Sequence, residues 1–373
     1  MRFAADDDET MVEDMLDRAL REARDAAPRV DGHAPRPDPA RLRDKLGGLG
    51  LWGGWLPEHA GGSDGGPRLL MVLARGLGRV PTHHGLIGGC VLPGVLLGQA
   101  GGAGAGALAA RIAAGGMPVA VAAMEPGARW DIAAPAMVAD TAPDGVRLTG
   151  VKTHVAEGCG AESFIVSARE GAGVGLYLVP RDTPGVRVAG YPVTDGTEWA
   201  TLHADGVTLP ASARLTGPAD GAAALDQAFT LAAFTAAAEI LGSCEATLAQ
   251  TLDYLRTREQ FGKPLAANQA LQFRAADLHT DIEMLRSQVL GAANALAQGH
   301  TQRARSDVAA AMALAVQTGD LVGREAIHMH GAIGMTRELG VGYHLMRSDV
   351  LSRWLGSAEH FRTMFLTAEE DAA

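Results

Sequence analysis

The chain is 373 residues long, enough for two or three domains and a large buried core. It is 47% hydrophobic and 20% charged, with a formal net charge of −11 and no block of basic residues, which argues against a nucleic-acid-binding surface. Three cysteines (Cys90, Cys159, Cys244) sit at spacings that suit neither a zinc site nor a disulfide framework. The N-terminus is acidic (Asp6, Asp7, Asp8, Glu9) without an apolar core, and no run of about eighteen apolar residues reads as a membrane span. The expectation is a reduced, cytoplasmic protein with no metal site.

The first third reads as helices joined by glycine-rich loops. Val12, Met15, Leu16 and Leu20 recur at helical spacing over 11–24. Three prolines in 34–39 break the pattern, and a short helix restarts over 41–46. Residues 47–66 read as a loop carrying Trp52 and Trp55, followed by a helix over 69–77. A long apolar stretch, 86–114, predicts two further helices, with the alternating Gly and Ala of 102–106 as the loop between them.

The character changes near Met117. Short runs rich in β-branched residues predict strands over 119–124, 145–149, 163–168, 174–179, 186–191 and 200–204. Asp182-Thr183-Pro184-Gly185 and Ala204-Asp205-Gly206 read as turns, and the spacing suggests a small barrel or sandwich. Past Pro218, proline-free segments over 222–256, 266–297, 306–330 and 343–367 predict four long helices in an antiparallel bundle. The expected architecture is α+β, in three domains: helical over 1–117, a middle β-barrel over 118–212, and a four-helix bundle over 213–373.

Several motifs fall in register with this order. Arg258-Glu259-Gln260-Phe261-Gly262-Lys263-Pro264-Leu265 is followed by Gln269 and Ala276-Asp277; Glu125-Pro126-Gly127 ends the first predicted strand; Asp205 to Pro210 closes the β segment; His330-Gly331-Ala332-Ile333-Gly334-Met335-Thr336 precedes the last helix. Together these resemble the acyl-CoA dehydrogenase family over nearly the whole chain. The resemblance implies FAD bound in extended form between subunits, with a neighbouring chain contacting its adenosine and diphosphate. An acyl-CoA substrate and an electron-transfer flavoprotein or equivalent acceptor follow as partners; the net acidity does not exclude an anionic thioester, which needs only local positive groups. The cofactor-contacting positions carried over are Arg258, Phe261, Gln269, His328 and Gly331. An always-charged guanidinium suits a diphosphate, and glycine lets backbone approach a ligand closely. Four of these also have a plainer reading: a solvated arginine, a core phenylalanine, a turn glycine, a core or interface histidine.

The family's reaction removes the α-proton of the thioester with a carboxylate while the β-hydride passes to the flavin. In the segment that usually holds this glutamate the chain has Trp354-Leu355-Gly356-Ser357, and leucine accepts no proton. The alternative family position, on the first bundle helix, counts back from Arg258 to about Ala232. Glu239 reads as a polar bundle residue, and Glu359 with His360 as a helix-surface pair or a displaced base. Met124 replaces a threonine, Trp130 falls in the segment that would hold the phosphopantetheine arm, and His154 and Ala156 replace the tryptophan and threonine that pack on the isoalloxazine. The resemblance is therefore to the glutamate-less subunit of bacterial heterotetramers of steroid side-chain degradation, a branch of lipid metabolism. In such a complex the FAD is shared with a related subunit that carries the glutamate. A flavin-dependent oxygenase or oxidase of the same fold, and a cofactor-free scaffold, are the alternatives.

Overall fold

Helical periodicity in the first third becomes five helices in a computed structural model that describes residues 7–28, 30, 32–142 and 145–370. The acidic stretch from Met1 to Asp6 lies outside the described residues. Helices α1 (Asp7–Asp25), α2 (Pro39–Gly48) and α3 (Gly66–Gly78) follow the predicted spans, each longer at its ends. Asp38 caps α2, its carboxylate accepting from the amides of Ala40 and Arg41 at 2.9 and 3.2 Å. The apolar stretch that follows divides into a π-helical turn (Leu86–Val91), α4 (Leu92–Ala100) and α5 (Ala103–Ala113). The Gly/Ala loop expected over 102–106 is only two residues long: Gly101 and Gly102 turn the chain with positive φ, and α5 has begun by Ala103.

The β segment comprises β1 (Val119–Ala122), β2 (Val138–Ala142), β3 (Gly145–Ala156), β4 (Ser163–Glu170), β5 (Gly173–Pro180), β6 (Val186–Pro192), β7 (Glu198–Pro210) and β8 (Arg214–Thr216). It is a mixed sheet in the order β6-β7-β3-β2-β4-β5-β8, with β1 parallel to β4. The expected barrel is not closed: among the described strands no ladder joins β6 to β8. The expected turn at Ala204-Asp205-Gly206 lies inside β7. There the pairing jumps from Gly150↔Ala204 to Leu148↔Val207, so the extra residues form a bulge, and Gly206 adopts φ 62°. Leu148, Phe164, Val166, Tyr177, Leu202 and Val207 fill the core of this layer.

The last segment begins with α6 (Gly221–Thr257), which is long and apolar enough to cross a membrane but has 83% of its apolar window buried in protein. Hydrophobicity on nearly every face marks a core helix. A two-residue hairpin, β9 (Glu259–Gln260) and β10 (Lys263–Pro264), leads to α7 (Gln269–Leu296) and α8 (Gln302–His330). Thr301 caps α8, its hydroxyl accepting from the Ala304 amide at 3.1 Å. The expected fourth helix is two, α9 (Val341–Leu355) and α10 (Ala358–Glu370), because Gly356 takes φ 147°, a conformation open only to glycine. Helix α8 packs against α7, α9 and α10.

The contacts divide the chain into two units: 1–42, 67–84 and 233–373 form one, and 43–66 with 85–232 form the other. Within the first, α3 and α6 touch backbone to backbone. A Cβ on Gly78 would lie 2.0 Å from the Glu239 carbonyl, and one on Gly242 1.8 Å from that of Arg75.

Candidate functional site

In the first unit, the corner between α6 and α7 gathers three of the positions carried over from the motif. α6 ends at Thr257, and the Leu265 amide donates to the Arg258 carbonyl at 2.8 Å, closing the hairpin back on the helix end. Its turn places Phe261 at φ 55° and Gly262 at φ 75°, the pair of left-handed residues that a tight two-residue hairpin needs. Glycine takes that conformation freely, whereas for phenylalanine it costs about 1–3 kcal/mol. The ring gains nothing within the chain in return, being 97% exposed rather than a core plug. The side chains of Arg258 and Gln269 are exposed too, and neither has a hydrogen-bond or ion-pair partner among the described residues.

The Gly331 segment is held against the end of α6. Tyr254, one turn before Arg258, stacks on His330 with ring centroids 4.5 Å apart, and its hydroxyl donates to the His330 carbonyl at 3.2 Å. Gly331 turns the chain out of α8 with φ 68°, and a Cβ there would meet nothing within 4 Å. It is the backbone conformation, not room inside this chain, that requires glycine. His328 is exposed but engaged: Arg274 lies 3.1 Å from its Nδ1 and also pairs with Glu325 at 3.1 Å. The structure therefore brings Arg258, Phe261 and Gln269 to one corner, ties the Gly331 segment to it through Tyr254, and occupies His328 with Arg274.

The carboxylates open to general-base work are accounted for in turn. Leu355 is 6% exposed at the last turn of α9. Glu359 points to solvent and lies 3.7 Å from Arg362, an exposed helix-surface pair. Glu239 is a polar residue of the bundle, as expected, and a buried one. It is 2% exposed, its Oε1 accepts from Arg347 Nε at 2.8 Å, and His84 Nε2 lies 3.5 Å away. Burial opposes its ionisation, but the charges of Arg347 and His84 hold the carboxyl well below the usual range. Burial likewise pushes His84 down, with Glu239 pulling the other way. Nearby, His344 Nδ1 lies 2.9 Å from Ser243 Oγ, and burial pushes that imidazole down to about 4. A void of about 10 Å³, room for one water, adjoins Glu239, Ser243, His344 and Arg347. A carboxylate held ionised this firmly is a poor proton acceptor.

In the second unit, Glu125 and Lys152 form another buried pair. Lys152 Nζ, wholly buried, donates to Glu125 Oε1 at 2.7 Å, Ser167 Oγ at 3.0 Å and the Ala123 carbonyl at 3.2 Å. The Glu125 carboxylate also accepts from the amides of Ala136 and Met137, pinning the loop after β1. Burial pushes Lys152 down to about 8, against the pull of Glu125. Glu125 itself is held below its ordinary value: burial opposes this, but Lys152 and the two amides prevail.

On the same unit, His154 has φ 54° and lies edge-on to Tyr191 and Trp199, with centroids 6.5 and 6.1 Å away. Met124 and Ala156 are buried, and a Cβ on Gly88 of the π-helical turn would come within 3.0 Å of the Ala156 methyl. Sequence reasoning named Glu239 and Glu125 singly and missed both pairs. For Glu239 the one signal was a charged residue inside an otherwise apolar helix.

The helical, sheet and helical order, together with the α6–α7 corner, defines a flavoprotein-type dehydrogenase fold, and the chain belongs to the acyl-CoA dehydrogenase family. Residues 219–367 match the model described as "Acyl-CoA dehydrogenase, C-terminal domain". A variant of the "Tcur3481-Tcur3483 steroid ACAD" is 30% identical, with a TM-score of 0.83, over 98% of this chain and 99% of that one. The ChsE4-ChsE5 complex from Mycobacterium tuberculosis contains a chain 26% identical, with a TM-score of 0.85, over 100% of this chain and 99% of its own. Acyl-CoA dehydrogenase FadE27 of Mycobacterium tuberculosis is 33% identical over 220 residues, covering 57% of this chain and 58% of FadE27.

The family uses FAD, and the two sets of residues differ in how they suit it. Met124 and Ala156 offer no side-chain hydrogen bond to a flavin ring, and the Ala156 methyl is covered by the π-helical turn. At the α6–α7 corner, a free guanidinium, a free amide and an exposed aromatic ring do fit the phosphates and apolar body of a dinucleotide.

Proposed function

We propose that this chain is the non-catalytic subunit of a heteromeric acyl-CoA dehydrogenase that forms an α,β-unsaturated thioester. A related partner subunit supplies the carboxylate base, and this chain completes the partner's FAD site. The observation that carries the reading is the α6–α7 corner. There a strained, 97% exposed Phe261 stands beside Arg258 and Gln269, whose side chains have no partner among the described residues. Strain and exposure at one residue are what a surface built for another molecule displays. Arg258 would bond the diphosphate, Gln269 would add a polar contact, and Phe261 would pack on the cofactor or the neighbouring chain. The cofactor, when bound, supplies the hydride acceptor.

Buried Leu355 and the Met124–Ala156 face support the division of labour: leucine stands at the base position, and Met124 and Ala156 offer a flavin no side-chain donor. Two similar structures, the ChsE4-ChsE5 complex and the Tcur3481-Tcur3483 steroid ACAD, favour a heteromer acting on a bulky acyl chain. An electron-transfer flavoprotein or equivalent would reoxidise the complex.

Co-expression with a homologue that carries the glutamate tests this. The expected product is a yellow, active complex whose flavin content falls sharply in Arg258→Gln. A flavin-loaded, active assembly of this chain alone would overturn the reading.

A further inference from the structure

An opening lies entirely within the first unit, along a face of α6 that runs up to Asp253, short of the α6–α7 corner. It is a cleft of about 780 Å³ bounded by α1, the end of α3, α6 and the start of α9. That volume falls in the range of small-molecule sites, roughly 300–1,000 Å³. Its apolar wall is made of Leu20, Pro35, Pro81, Ala246 and Ala249; the two alanines leave room along one face of α6.

The charges around it are not equivalent. Arg79 is spent: it pairs with Asp17 at 3.2 Å, with Glu245 at 3.2 Å and with Glu13 at 3.4 Å. Glu245 also meets Arg75 at 2.9 Å and Arg286 at 3.0 Å, and Asp253 meets Arg256 at 3.3 Å. Arg21 and Arg24 also line the cleft, and neither side chain has an ion pair or hydrogen bond among the described residues. Being three apart on α1, they are neighbours on the helix surface, about 5–6 Å between Cβ atoms, close enough to share one head group.

We propose that this cleft binds an aliphatic monocarboxylate, with Arg21 and Arg24 holding the carboxylate and the Leu20–Ala249 wall covering the chain. A guanidinium pair suits a planar carboxylate. The neighbouring carboxylates of Asp17, Glu245 and Asp253 select against polyanions, whose extra charges would be repelled. The site is independent of the proposed flavin role and stands or falls separately from it.

Titration of the purified full-length chain with dodecanoate, below its micelle concentration, tests the proposal by calorimetry. Saturable binding at one site is expected. It should weaken about tenfold or more in Arg21→Gln/Arg24→Gln and vanish in Ala249→Trp, which fills the hollow from an exposed position. Both variants should keep the thermal midpoint of the parent. Absence of saturable binding, binding unchanged in both variants, or displacement of dodecanoate by equimolar inorganic phosphate would each overturn it.

Discussion

Replacing Glu239 by glutamine removes one charge from a buried pair while keeping its shape. The Glu239 and Arg347 side chains are 3% and 7% exposed, and the Arg347 guanidinium donates to Oε1 at 2.8 Å. Glutamine still offers an oxygen to Arg347, but no negative charge. A guanidinium cannot deprotonate, so its charge stays buried after losing the carboxylate that faces it. Removing one partner of a buried pair costs about 3–5 kcal/mol, because the remaining charge loses its counterion in a desolvated setting. For 373 residues the unfolding entropy is about 0.8 kcal/mol/K, so 1 kcal/mol moves the midpoint by roughly 1–1.5 °C and the expected drop is about 4–7 °C.

The double substitution Glu239→Gln/Arg347→Met separates this cause from simple loss of a contact. With both charges gone no ion is buried, so the double variant should recover at least half of the lost stability, despite carrying two changes. Urea unfolding of the two variants and the parent measures the difference. A single variant that loses less than about 1 kcal/mol, or a double variant no more stable than the single, refutes the argument.

Acidification should reach the same cluster. His84 and His344 are both held below the ordinary histidine value by burial, His344 at about 4. The unfolded chain therefore binds protons that the folded chain refuses, and stability falls as pH drops from about 6.5 towards 4. Below about 4.5 Glu239 adds to the loss, because its carboxyl is held ionised in the folded state alone; a thermal midpoint flat between pH 7 and 4.5 would contradict this. In the second unit, Lys152→Met leaves Glu125 with only the Ala136 and Met137 amides, and urea unfolding should show a loss on the order of 3 kcal/mol. Adding Glu125→Gln should restore part of it.

The two buried pairs also bear on the reading of the carboxylates. Helical spacing along α6 placed Glu239 correctly on a long bundle helix, yet its environment depends on Arg347, 108 residues away. No local pattern encodes that partner. The same holds for Lys152 and Glu125, 27 residues apart on neighbouring segments of the sheet layer. Two strands were invisible for a different reason. β2 (Val138–Ala142) and β8 (Arg214–Thr216) are short and lack a run of β-branched residues, and they are strands because β3 and β5 offer them ladders. Asp205-Gly206 has the composition of a turn, but β3 and β6 flank it on both sides and turn it into a bulge.

By itself the sequence determined the order of helical, sheet and helical segments, the long core helix and the Arg258–Gln269 corner. These rest on periodicity, on the absence of proline and on a motif whose residues are neighbours in the chain. It also determined that Leu355 can accept no proton, since that is a property of the side chain alone. Tertiary structure decided that the sheet stays open, that Gly356 divides the last helix, and that Glu239 and Lys152 are paired ions rather than free acid or base. Those outcomes turn on which distant groups are desolvated together, and desolvation is a property of packing, not of spacing.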